Sequence, residues 1–174
     1  LQDHPFMYFT ISANAGTGKT LTMYDIAKDM IQKNTKVMII HCGIANAGHD
    51  KLKTRYGWNI SSISAINPLS INSIFDESEI IFIDEAQRVR KQQLEWIIQK
   101  TTEKGIPVIF SYDVKQYLKD SEGLDIESYL QAEYPNIRLS PKHLTTKIRT
   151  NKEMASFINN LLNIGSSRDH LDYS

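Results

Sequence analysis

The sequence predicts an α/β domain, a mostly parallel sheet with helices on both faces. Three observations predict it. Short β-branched and aromatic runs alternate with helical stretches. An apolar run, Phe6–Ile11, leads through a glycine-rich turn into an amphipathic segment. A second apolar run, Ile80-Ile81-Phe82-Ile83, stops abruptly at Asp84-Glu85. With 174 residues the chain can bury one sizeable core of this kind, and not two.

Candidate strands are Phe6–Ala13, Lys36–His41, Glu79–Asp84, Ile106–Ser111 and Asn136–Leu139. After Lys19, Met23, Tyr24, Ala27, Met30 and Ile31 fall on one helical face. A further helix is expected over Arg88–Thr102, closed by Gly105. The stretch Tyr56–Phe75 mixes Ser, Asn and Pro68 with isolated Ile, and is expected to hold a short strand and irregular loop. Near the end, Thr150 and Glu153 form a capping box ahead of Met154, Phe157, Ile158, Leu161 and Leu162, with Gly165 at the helix stop. The expected domain spans residues 1–165. Residues 166–174 read as a frayed tail or a truncated link.

Composition narrows the class. Apolar residues make up 41% and charged residues 23%, ordinary for a folded soluble chain. Twenty Lys+Arg balance twenty Asp+Glu, so no net basic charge announces a nucleic-acid binder. The single cysteine, Cys42, excludes an internal disulfide framework and fits a reducing, cytoplasmic compartment. No aliphatic stretch is long enough to cross a membrane. The chain opens on Leu1 and reads as a fragment.

Residues 13–20 read Ala-Asn-Ala-Gly-Thr-Gly-Lys-Thr, a phosphate-loop pattern with Ala13 in place of the usual first glycine. Gly16 and Gly18 let backbone N–H groups of Asn14, Ala15, Gly16, Thr17 and Gly18 curl around an anion without a Cβ in the way. Lys19 brings a point charge to the terminal phosphates of ATP, and the Thr20 hydroxyl is suited to Mg²⁺. The helix that follows adds the positive end of its dipole. A glycine-rich turn with a solvated lysine is the bland alternative, and the strand before and helix after weigh against it.

The acidic strand end is the second site. A buried strand does not finish in adjacent acids for packing reasons, and open α/β sheets bind ligands at that edge. Asp84 is the expected Mg²⁺ partner, and Glu85 is suited to polarise an attacking water as general base.

Gly-Thr-Gly-Lys-Thr followed some 65 residues later by Asp-Glu-Ala-Gln resembles the first motor lobe of superfamily 1 helicases. The Asp-Glu-Ala-Gln-Arg form resembles in particular the bacterial Schlafen-type DNA/RNA helicase-like ATPases. The likeness runs over roughly residues 8–164 and implies a RecA-like P-loop fold. Ile106–Leu118 resembles the third motif, with Asp113 and Gln116 matching and Tyr112 in place of a glycine. Gln116 is thereby implied as a γ-phosphate sensor, or else it is a polar residue in an exposed turn. Gln87 is implied to couple the nucleotide to that motif. Arg149 matches an arginine that reaches the γ-phosphate, and reads equally as a surface arginine near Glu153.

The departures are specific. The segment Ile40–His49 lacks the threonine with which such motors touch single-stranded nucleic acid, and no adenine-reading glutamine motif precedes the loop. The resemblance implies a second motor lobe as a partner, expected outside these 174 residues. Two basic clusters, Lys51/Lys53/Arg55 and Arg138/Lys142/Lys147/Arg149/Lys152, leave direct binding of single-stranded DNA or RNA open, with Tyr56 and Trp58 as stacking candidates. His41, Cys42 and His49 do not form a recognisable metal site. The reading that follows is Mg-dependent ATP hydrolysis by a helicase-like motor lobe. The rivals are a regulatory nucleotide switch and an oligomeric AAA-type or signalling ATPase.

Overall fold

A computed structural model describes residues 7–13, 18–44, 47–113 and 125–144. It is an α/β architecture consistent with a RecA-like fold, six parallel strands flanked by helices. The strands are β1 (Met7–Ala13), β2 (Val37–His41), β3 (Asn59–Ser62), β4 (Ile80–Asp84), β5 (Val108–Asp113) and β6 (Arg138–Leu144). The helices are α1 (Lys19–Gln32), α2 (Ala47–Tyr56), α3 (Ile71–Phe75), α4 (Lys91–Lys104) and α5 (Ile126–Glu133). The sheet order is β3-β2-β4-β5-β1-β6. Among the described residues no helix is long and apolar enough to cross a membrane.

Parallel strands covered on both faces must be apolar on both, and β2 and β4 are buried at every position. Alternate side chains divide between two cores. Phe9, Ile11, Val37, Ile39, Ile80, Phe82 and Ile109 pack with Met23, Ile26, Ala27 and Met30 of α1. Tyr8, Met38, Ile40, Ile81, Ile83, Val108 and Phe110 pack on the other face with α3, α4 and α5 through Phe75, Leu94, Ile97, Ile98, Ile126 and Leu130. Hydroxyl bonds cross this second layer: Tyr8 Oη lies 2.8 Å from Thr101 Oγ1 and 3.1 Å from Thr102 Oγ1.

Some boundaries move. The expected helix over Arg88–Thr102 starts later, at Lys91, because a 3-10 turn, Ala86–Arg88, intervenes. Gly105 stops it in the left-handed conformation at φ 72°. β5 runs on past Ser111 to Asp113, which carries Tyr112 and Asp113 into the sheet. β6 runs through Pro141 to Leu144, which an edge strand allows, since proline there removes a donor only on one side. The Tyr56–Phe75 stretch holds β3, a 3-10 turn at Ile63–Ala65 and the short α3. The expected helix after Thr150 lies outside the described residues.

Candidate functional site

All six strands point the same way, so their carboxyl ends form one edge of the sheet. On that edge Ala13 is registered beside Asp113, and His41 beside Asp84. β5 separates β1 from β4, and α1 starts at this edge and packs along one face of the sheet.

Gly18 precedes α1 with φ 88°, a conformation that costs a residue with a Cβ and costs glycine little. Its carbonyl accepts the first helical bond, from Thr22 N at 2.9 Å. Lys19 and Thr20 are therefore the first two residues of the helix, held at the sheet edge. Lys19 Nζ lies 3.7 Å from Asp113 Oδ2, and both side chains are largely buried. The Thr20 hydroxyl donates to Asp84 Oδ1 at 3.2 Å.

Asp84 is 1% exposed at the end of β4. Its second oxygen, Oδ2, faces His41 Nδ1 at 3.3 Å, and Cys42 N donates to its main-chain carbonyl at 3.0 Å. The Asp84 carboxylate raises the basicity of His41, burial opposes this, and the Ile44 main chain adds to the rise. The His49 ring packs at a tilt of 40° against His41 with centroids 4.2 Å apart, and burial makes it less basic than usual, helped by the neighbouring His41. Burial and the carboxylates of Asp84 and Glu85 push the Cys42 thiol and the Tyr24 phenol up, which favours the protonated form of both.

Glu85 follows with φ 54°, a left-handed backbone that a side chain adopts at a cost of about 1–2 kcal/mol. That turn takes its carboxylate out of line with the strand. Arg88 Nε lies 2.9 Å from Glu85 Oε2, an ion pair rather than an aligned hydrogen bond. Gly43 is the reason the carboxylate fits: a Cβ there would sit 2.5 Å from Glu85 Oε2 and 2.9 Å from His41 Nε2. Gln87 is buried and its Oε1 accepts from Asp113 N at 3.3 Å, joining the turn after β4 to the end of β5.

Of the residues expected from sequence, Gly18, Lys19, Thr20, Asp84, Glu85 and Gln87 therefore stand on one edge, joined by Asp113. Asn14, Ala15, Gly16, Thr17, Gln116 and Arg149 lie outside the described residues. Sequence reasoning did not find His41 as a partner of Asp84. The signal was available only as the register that pairs the last residues of β2 and β4.

The donor set fits a magnesium ion. A hydroxyl and a carboxylate, hard oxygen donors of the kind magnesium takes, stand within hydrogen-bond distance of each other. Groups of three or more His, Cys, Asp or Glu able to hold a metal on their own are absent among the described residues.

Two stacking candidates part company. Trp58 is half-buried and meets Tyr24 edge-on at 6.0 Å, so its ring belongs to the core. Tyr56 is 60% exposed at the end of α2, with the Arg55 guanidinium 5.7 Å from its ring centroid. Lys51, Lys53 and Arg55 are exposed on the same helix.

Comparison with curated protein sequences gives no match. A family model does match, over residues 7–173, described as the Schlafen group 3 DNA/RNA helicase domain. The matched span contains every residue assembled at this sheet edge, and it covers nearly the whole chain, which therefore belongs to the Schlafen group 3 helicase-like domain family.

Proposed function

We propose that this domain binds ATP with Mg²⁺ and hydrolyses it as the motor lobe of a DNA/RNA helicase-like protein. One observation carries the reading. The first two residues of α1 reach the acids that end β5 and β4, with Lys19 at Asp113 and Thr20 at Asp84. A lysine charge, a hydroxyl–carboxylate pair and a helix N-terminus at one place are what a polyphosphate requires.

In this reading Lys19 leaves Asp113 for the phosphates. Thr20 and Asp84 would hold Mg²⁺, which when bound neutralises charge that develops on the phosphates. Glu85 accepts a proton from the attacking water. Gln87 reports the state of this turn to β5 through the Asp113 main chain. Gln116 and Arg149 remain proposed as γ-phosphate contacts. Single-stranded DNA or RNA is the proposed polymer partner, supported by the family description and by the exposed cations and tyrosine of α2.

The test is calorimetry of ATP binding to wild type and Lys19→Ala, with and without Mg²⁺. Lys19→Ala should lose most of the affinity while circular dichroism stays unchanged. Unaltered affinity in a folded Lys19→Ala chain rejects the reading.

A further inference from the structure

Asp84 has two carboxylate oxygens, and they face different residues. Oδ1 accepts from the Thr20 hydroxyl at 3.2 Å, and Oδ2 faces His41 Nδ1 at 3.3 Å. Both His41 Nδ1 and Asp84 Oδ2 are shielded from solvent, and neither makes an aligned hydrogen bond, to the other or to any other described atom, so the 3.3 Å approach is a close polar contact. Burial strips both atoms of water, so the polar contact between them is the interaction left to each. The contact is specific to the end of β2, since parallel register sets His41 directly beside Asp84.

The imidazole itself has close neighbours on two sides, one of them backed in turn by α1. His49 of α2 packs against its ring at a tilt, centroids 4.2 Å apart. Gly43 passes so close to Nε2 that no side chain fits there. Tyr24, one turn beyond Thr20 on α1, packs edge-on against His49 at 6.2 Å. These contacts favour the ring orientation that keeps Nδ1 toward the carboxylate.

We propose that His41 is a positioning residue for Asp84: it pins Oδ2, so that Oδ1 stays turned toward Thr20 and the magnesium place. This rests on the nucleotide reading above and extends it to a residue outside the phosphate-binding elements. Carboxylate ligands are themselves held by hydrogen bonds, and loss of such an outer partner typically weakens metal binding 10–100-fold. His41 touches neither nucleotide nor metal in this account and acts through the carboxylate alone. A side chain of similar reach with one N–H in the place of Nδ1, as in asparagine, should do the same work.

The experiment titrates Mg²⁺ against the full chain in the presence of a fluorescent, non-hydrolysable ATP analogue. His41→Leu should raise the Mg²⁺ concentration for half-maximal response by ~10–100-fold and leave binding of the analogue in chelator unchanged. His41→Asn should recover most of that loss. A second readout needs no nucleotide: long-range ¹⁵N–¹H spectra should show Nδ1 as the protonated nitrogen facing Asp84, and Asp84→Asn should shift it. A folded His41→Leu chain with the wild-type Mg²⁺ requirement overturns the role. So does a His41→Asn chain no better than leucine, or a His41 signal that ignores Asp84→Asn. A wild-type chain that does not respond to Mg²⁺ at all overturns the nucleotide reading, and this role with it.

Discussion

Lys19 Nζ lies 3.7 Å from Asp113 Oδ2, an ion pair between the first residue of α1 and the last residue of β5. Both side chains are mostly shielded, so the attraction is stronger than between exposed charges. An incoming phosphate must compete with Asp113 for the ammonium, and the carboxylate also repels it directly. Both effects have the same sign. Asp113→Asn is therefore expected to tighten binding of metal-free ATP by roughly tenfold, the equivalent of about 1.4 kcal/mol. Calorimetry in chelator checks it, and equal or weaker affinity in a folded variant would show that Asp113 does not restrain Lys19.

A second prediction concerns stability. Thr10 Oγ1 and Tyr112 Oη both donate to Glu127 Oε1, each at 2.6 Å. One carboxylate on α5 thus ties β1 to β5 just behind the sheet edge. Glu127→Ala leaves two buried hydroxyls without this acceptor, at about 1–3 kcal/mol each for an unmade bond. Expected total loss is ~2–4 kcal/mol, because some repacking is available. Tyr112→Phe removes one donor and leaves the carboxylate its other partner, so it should cost only about 1 kcal/mol. Urea unfolding of both variants measures the difference. Equal losses would mean that Glu127 is not the hub.

The sheet was legible because burial on both faces writes a strand as a continuous apolar run, as in Ile80–Ile83. The acids after it were legible because nothing in packing calls for them. Helix α2 was not, and the reason is physical: it is polar nearly all round, with only His49 buried and Leu52 half-buried. Helix α5 carries a signal that went unread, Asp125 accepting from Ser128 N at 3.3 Å as an N-cap. Its two buried apolar residues, Ile126 and Leu130, are too few to show a period. Thr20, Asp84 and Glu85 could be singled out as types in a pattern. That Asp84 also faces His41, and that Gly43 makes room for Glu85, follows from pairing between strands distant in sequence, which no local window contains.

Alkaline pH should act through five tyrosines, among them Tyr129 and Tyr134, which burial also holds up, and three that lie on β1, α1 and β5. Tyr8, Tyr24 and Tyr112 are all held above the usual 10.0, with burial as the first cause in each. The folded chain then binds these protons more tightly than the unfolded chain. Their stabilising contribution is whole below about pH 10 and falls as the pH rises through it. Phenolate absorbance of the folded chain should leave these three of the eight tyrosines un-ionised until the fold is lost. Full ionisation with the fold intact by circular dichroism would contradict their burial.

The last prediction separates chemistry from binding with two substitutions at different residues. Glu85→Gln keeps the size and reach of the side chain and removes its capacity to take a proton. It should retain ATP affinity and lose ~10²–10⁴ in hydrolysis, the usual worth of a positioned general base. Gly43→Ala changes no titratable group. Yet its Cβ would come within 2.5 Å of Glu85 Oε2, so the carboxylate must move, and the Arg88 contact limits where it can go. A small displacement of a base from its water already costs a large part of its effect. Gly43→Ala should therefore resemble Glu85→Gln in kind: near-normal binding, turnover reduced by at least tenfold. The double variant decides whether they share a cause. If both act through the same carboxylate, the double variant is no slower than Glu85→Gln alone. If the losses multiply, Gly43→Ala harms the site by another route, most directly through His41 Nε2, which a Cβ would meet at 2.9 Å. Single-turnover phosphate release from the wild type and the three variants, at saturating Mg·ATP, measures all four rates on one scale.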